Sequence, residues 1–175
     1  VAGGAPQPHA DGSFTTEPGL ACTVMVADCL PILLAAPGGR GVAALHAGWR
    51  GLAGAGVMRG RGIVHTGVVA LCNATGCEPA ELRAWLGPCI GLQAFEVGPE
   101  VRAAFEVRST QAASCFRPAA AAGKWLADLP ALAAPDGEVF YTESFSIHGN
   151  DFEHGGAVAA PVKVILRQLG IPTAA

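Results

Sequence analysis

Ala27–Gly51 reads ADCLPILLAAPGGRGVAALHAGWRG. Two apolar runs, Ile32–Ala36 and Gly41–Ala47, flank the turn residues Pro37, Gly38 and Gly39. Short apolar runs bounded by Pro and Gly predict buried strands, here joined as a hairpin. Pairing about Gly38 and Gly39 places His46 opposite Pro31, two residues from Cys29. Neighbouring strands lie about 4.8 Å apart, so the thiol and the imidazole are expected to converge at one end of the hairpin. A slip of one residue would undo this, because it turns every side chain to the other face.

A thiolate beside a neutral imidazole can ligate a soft or borderline metal, or act as a base-activated nucleophile. A buried thiol packed beside a core histidine leaves the same trace, so the residues alone keep both readings open. Asp28 and Pro31 mark a break between strands where Cys29 can reach a sheet edge. After His46, small residues permit close approach of a ligand. Trp49 then offers a stacking face and Arg50 a cation for an anionic group.

Outward from the hairpin, residues 1–21 are rich in Gly, Pro and Ala and read as a loop. Thr23–Val26 reads as a strand. Gly48–Gly62 is ambiguous: its apolar spacing suits a helix, but each interior glycine costs about 1 kcal/mol against alanine. Ile63–Leu71 leans towards helix, and Pro79 with the following AELRAW reads as a helix start. RAWLGPCIG then looks like a strand and Pro99–Glu106 a short helix. Residues 109–123 read as loop, and KWLADLPALA as an amphipathic helix interrupted at Pro130. The tail has a strand-like start, a Gly/Asn/Asp turn region and an apolar end. No repeat or linker divides the 175 residues, and the mixture of short strands and helices gives an α/β or α+β class.

Composition sets the limits. Hydrophobic residues make up 51% and charged residues 14%, which argues against a polar disordered chain. The net charge is −3 with no long basic run, so a nucleic-acid backbone is not the expected partner. No apolar run reaches the roughly 20 residues that span a bilayer, and the first ten residues lack the charged-then-apolar pattern of an export signal. The six cysteines are scattered, so reduced thiols in a cytoplasmic protein are expected. Cys72 and Cys77 are too far apart for a CxxC pair, and no second pair makes a zinc ribbon.

Several blocks resemble the YfiH family, also called the laccase-domain or polyphenol-oxidase-like family. They are ADG..T..PG at Ala10–Gly19, V.ADCLP at Val24–Pro31 and VAALHAGWRGLAGAGV at Val42–Val57. AWLGPCIG at Ala84–Gly91, FEVGPEV at Phe95–Val101 and KWLADLPALA at Lys124–Ala133 continue the series. The resemblance implies a layered sandwich of mixed β-sheets flanked by helices. It also implies one metal, zinc or alternatively copper, held by one Cys and two His, with Cys29 and His46 matching two of these ligands. The implied activity is phosphorolysis of adenosine and inosine together with adenosine deamination, on a purine nucleoside with phosphate. Zinc lowers the pKa of a bound water, and Arg50 is the candidate anion anchor.

The family's other histidine ligand belongs to an HG-type segment well upstream of ADCLP, which His9 does not match. The expectation is therefore a single domain over 1–175 that lacks its N-terminal part. IHGND at Ile147–Asp151 looks locally like that segment, which makes His148 a candidate third ligand. A divergent member with weak or no metal binding is the remaining option. His65 and His154 match no motif, and Glu143, Asp151 and Glu153 are possible acid–base groups near His148. Three further readings stand beside the zinc enzyme. One is a copper polyphenol oxidase, although a laccase needs several coppers and the chain has five histidines. Another is a hydrolase or amidase with Cys29 as nucleophile and His46 as base, peptidoglycan-precursor editing included. The last is a non-catalytic remnant. Oligomeric state is not readable from these residues.

Overall fold

A computed structural model of the chain describes residues 9–55, 61–133 and the strand 162–167. The central sheet has four strands in the order β1 (Gly12–Thr15), β4 (Val42–Ala47), β3 (Leu30–Ala35) and β5 (Arg83–Leu86). Every neighbouring pair in it is antiparallel. The β3–β4 hairpin adopts the register expected from its turn, with Pro31 opposite His46 and Leu30 opposite Ala47. Gly38 and Gly39 take φ of 64° and 68° at the turn, a left-handed backbone that favours glycine.

Strand β4 is buried on both faces, so its residues divide between two cores. Ala43, Leu45 and Ala47 join the larger core, and Val42 and Ala44 join a second one. The second core is completed by Cys22, Val24 and Val26 of β2 (Ala21–Val26), whose burial alternates residue by residue. Strand β2 pairs antiparallel with β9 (Val162–Arg167) in a separate two-stranded sheet. On the larger-core side lie α1 (Trp49–Ala53) and α2 (Ile63–Thr75). The result is sheet upon sheet upon helix, which is the layered α+β arrangement expected.

A third sheet, β6 (Glu96–Val97), β8 (Trp125–Ala127) and β7 (Phe116–Pro118), packs with α3 (Pro99–Glu106) and α4 (Leu129–Ala133) against the same core. Val101 and Phe105 of α3 are buried there, and the Phe105 and Phe116 rings are 6.2 Å apart.

Four expectations are corrected. The segment expected as an entry loop contains β1, because pairing with β4 supplies order that its composition does not show. The helix expected after Pro79 is a single 3₁₀ turn, Pro79–Glu81, which ends where Arg83 pairs with Ala35. The stretch 109–123 is partly ordered, as a 3₁₀ segment over Thr110–Cys115 and then β7. KWLADLPALA is a strand followed by a helix: Trp125–Ala127 pairs with two neighbours, and Pro130 falls at the start of α4, where its missing N–H costs nothing. The tail's strand-like start and IHGND turn, with Glu143, His148, Asp151, Glu153 and His154, lie outside the described residues.

Candidate functional site

The hairpin places its open end at Cys29 and His46. Cys29 stands in the bend between β2 and β3 and is half-buried, while His46 is the penultimate residue of β4. Their relation is set by Gly48, the residue that leads into α1. A β-carbon built there would lie 3.1 Å from Cys29 Sγ, 3.6 Å from His46 Cε1 and 4.0 Å from His46 Nε2. Thiol and imidazole thus border one point of space, and only a glycine leaves it open. Gly48 has φ −73°, so the requirement is room and not an unusual backbone.

Asp11 holds the histidine from the opposite side. Its carboxylate Oδ1 is 3.3 Å from His46 Nδ1, and its backbone carbonyl accepts the His46 N–H at 2.7 Å. A carboxylate only accepts, so the pairing puts the proton on Nδ1 and leaves Nε2 as the free ring nitrogen. Burial first, then the charges of Asp28 and Asp11, push the Cys29 thiol up from its ordinary value. A cation beside it would oppose all three effects, and sulfur with imidazole nitrogen is a donor pair suited to zinc or copper.

Neighbouring segments complete the wall. The Ile90 N–H donates to Asp28 O at 2.9 Å, which lays the GPCIG segment along the Cys29 bend. Cys89 is buried there, its thiol pushed up to about 12 by burial, then by Asp128 and Cys29. Arg50 is exposed on the first turn of α1, and its guanidinium lies 4.4 Å from the centre of the Trp49 ring. That stacking orients the cation while leaving its edge free for an anion.

Among the described residues, no group of three His, Cys, Asp or Glu could hold a metal ion. Cys29 and His46 are brought together, Arg50 stands two residues beyond Gly48, and His148 lies outside the described residues. His9 and His65 are exposed. Asp11 and Cys89 were missed as contributors, although each sits inside a quoted motif block, whereas Gly48 is one of the small residues after His46 expected to permit close approach.

Comparison with known proteins gives a consistent picture. Residues 1–136 match the family model described as multi-copper polyphenol oxidoreductase laccase. The chain is 44% identical over 148 residues to the purine nucleoside phosphorylase PA4543 of Pseudomonas aeruginosa, a match covering 85% of this chain and 53% of that protein. It is 45% identical over 125 residues to the purine nucleoside phosphorylase YfiH of Escherichia coli, covering 71% and 46%. Among solved structures, Neisseria meningitidis protein NMB0706 superposes with a TM-score of 0.62 at 42% identity, over 74% of this chain and 49% of that one. YlmD from Geobacillus stearothermophilus gives 0.62 at 27% identity, over 78% and 51%. The chain spans about half the length of the curated relatives it matches.

Proposed function

The chain belongs to the multi-copper polyphenol oxidoreductase laccase family, of which YfiH is a member, and from that premise we propose that it carries the Cys–His portion of a zinc-dependent enzyme acting on purine nucleosides. The reactions are phosphorolysis of adenosine and inosine, and deamination of adenosine. The observation that carries the reading is the convergence of Cys29 Sγ and the His46 ring on the space kept open by Gly48. Purine nucleoside phosphorylase is the name borne by its relatives, and nucleoside with phosphate is accordingly the substrate class.

In this reading Cys29 and His46 supply two ligands, and His148 is the chain's own candidate for the third. When bound, zinc polarises a substrate oxygen or acidifies a water. The rest falls to the protein. Asp11 holds the proton on His46 Nδ1 and so keeps Nε2 directed away from the carboxylate. Arg50, steadied on Trp49, binds the phosphate dianion as a positioning cation. Copper is the alternative metal for the same donors, and a multi-copper oxidase would need donor groups beyond this pair. Among the described residues no helix is long and apolar enough to cross a membrane, and the six free thiols suit a reducing cytoplasm.

Elemental analysis of the purified chain, paired with an inosine phosphorolysis assay, tests the proposal. We expect about one zinc per chain, and metal affinity at least tenfold lower in Cys29→Ser and in His46→Ala. His148→Ala loses metal as well if that residue is the third ligand, and keeps it if the third ligand lies elsewhere. Phosphorolysis by metal-free protein, unchanged in Cys29→Ser, would overturn the reading.

A further inference from the structure

Away from the site, at the turn end of the hairpin, a second pair of groups meets. Cys72 lies in the last turn of α2 and Cys77 just beyond it, with Gly76 between them at φ +67°. That left-handed residue reverses the chain, so two cysteines too far apart for a CxxC motif bring their Sγ atoms to 3.7 Å. Both are buried, in a small apolar cluster with Ala36 to which Val68 and Leu82 add cover. The turn is held from two sides. Gly76 N–H donates to Cys72 O at 2.8 Å, and the Arg40 guanidinium donates to Thr75 O at 2.9 Å. This cluster adjoins Ala36, at the far end of β3 from Cys29, so roughly 17 Å of strand separates it from the candidate metal site.

We propose that Cys72 and Cys77 form a redox dithiol that closes reversibly to an intramolecular disulfide by exchange with a small-molecule disulfide. One protein thiolate attacks a sulfur of the reagent, whose S–S bond breaks to release one small thiol. The second protein thiolate then attacks the mixed disulfide and releases the other. The protein loses two hydrogens, and the reagent is reduced to two thiols. Closing the bond brings the sulfurs from 3.7 Å to about 2.05 Å. Access comes from opening of that last turn, since helix termini are the least protected parts of a helix. The bond would staple the end of α2 to the segment leading into β5.

The test oxidises the full native chain with glutathione disulfide, alkylates the remaining thiols, and digests with trypsin. Cleavage after Arg61 and Arg83 leaves Cys72 and Cys77 in one peptide, Gly62–Arg83, that holds no other cysteine. The expected product is that peptide two hydrogens lighter than its dithiol form and without alkyl groups, returned to the dithiol by dithiothreitol. In Cys77→Ser the lighter species is absent and Cys72 carries at most a glutathione adduct. Recovery of the wild-type peptide with two alkyl groups, or with an unclosed glutathione adduct, overturns the proposal. So does pairing of either residue with Cys22, Cys29, Cys89 or Cys115. The readout is a mass and needs no catalytic activity, so it stands or falls apart from the zinc reading.

Discussion

His46 is anchored twice by one residue, through its backbone N–H and through its ring, and both anchors are Asp11. The carboxylate is about half-exposed, so its hydrogen bond to the ring adds little to stability, at most about 1 kcal/mol. Its value lies in the tautomer and orientation of the imidazole. Asp11→Ala should therefore leave the unfolding midpoint nearly unchanged and weaken the proposed zinc binding about 10- to 100-fold. Asp11→Asn, which keeps an acceptor oxygen, should recover much of that loss. Titration with a competing chelator measures both, and equal affinity in Asp11→Ala and wild type would remove Asp11 from the site. Cys29 and His46 could be read from sequence because a two-glycine turn sets the register between them. Asp11 could not. It lies 35 residues upstream in a stretch without periodicity, and it reaches His46 only because β1 pairs with β4. Gly48 could be read only as one of the small residues after His46 that permit close approach, since a glycine kept for space looks in sequence like one kept for a turn.

Among the elements, α2 shows how tertiary contact outweighs local preference. Gly67 is a poor helix former, and Ala in its place gains about 1 kcal/mol of helix propensity. A β-carbon there, however, would lie 2.6 Å and 2.8 Å from the two Leu45 methyls. Leu45 is 2% exposed and enclosed in the larger core, so it has little room to withdraw. Overpacking of this kind costs about 1–3 kcal/mol, which exceeds the propensity gain. We expect Gly67→Ala to lower unfolding stability in urea by up to about 2 kcal/mol, the overpacking cost less the propensity gain; a more stable variant would show that α2 can shift away from β4. The helix itself could be anticipated from Ile63 onward, and α3 likewise. Where sequence reading failed, the elements are short and their order comes from distant partners. Trp125–Ala127 is strand because β6 and β7 flank it, and nothing within KWLADLPALA encodes those neighbours.

At the scale of the whole molecule, β4 is the shared wall between two cores, and its alanines make that possible. Ala43, Ala44 and Ala47 are each fully buried, which lets a sheet and a helix layer both approach the strand closely. The two faces are separable by substitution, because alternate residues point to opposite sides. Ala44 faces only the smaller core, against Cys22, Val24 and Val26 of β2. Ala44→Leu adds three carbons where β2 already packs and should cost about 1–3 kcal/mol. The strain should fall on the β2–β9 layer and spare the helix side. Two buried thiols report on this independently: Cys22 in the smaller core and Cys89 in the larger one. Under native conditions the variant should alkylate faster at Cys22 and at an unchanged rate at Cys89, quantified by mass spectrometry. Equal acceleration at both would mean that the layers open as one unit. The smaller core would then be an extension of the larger, and the Cys29 bend, which packs against it, would share its fate.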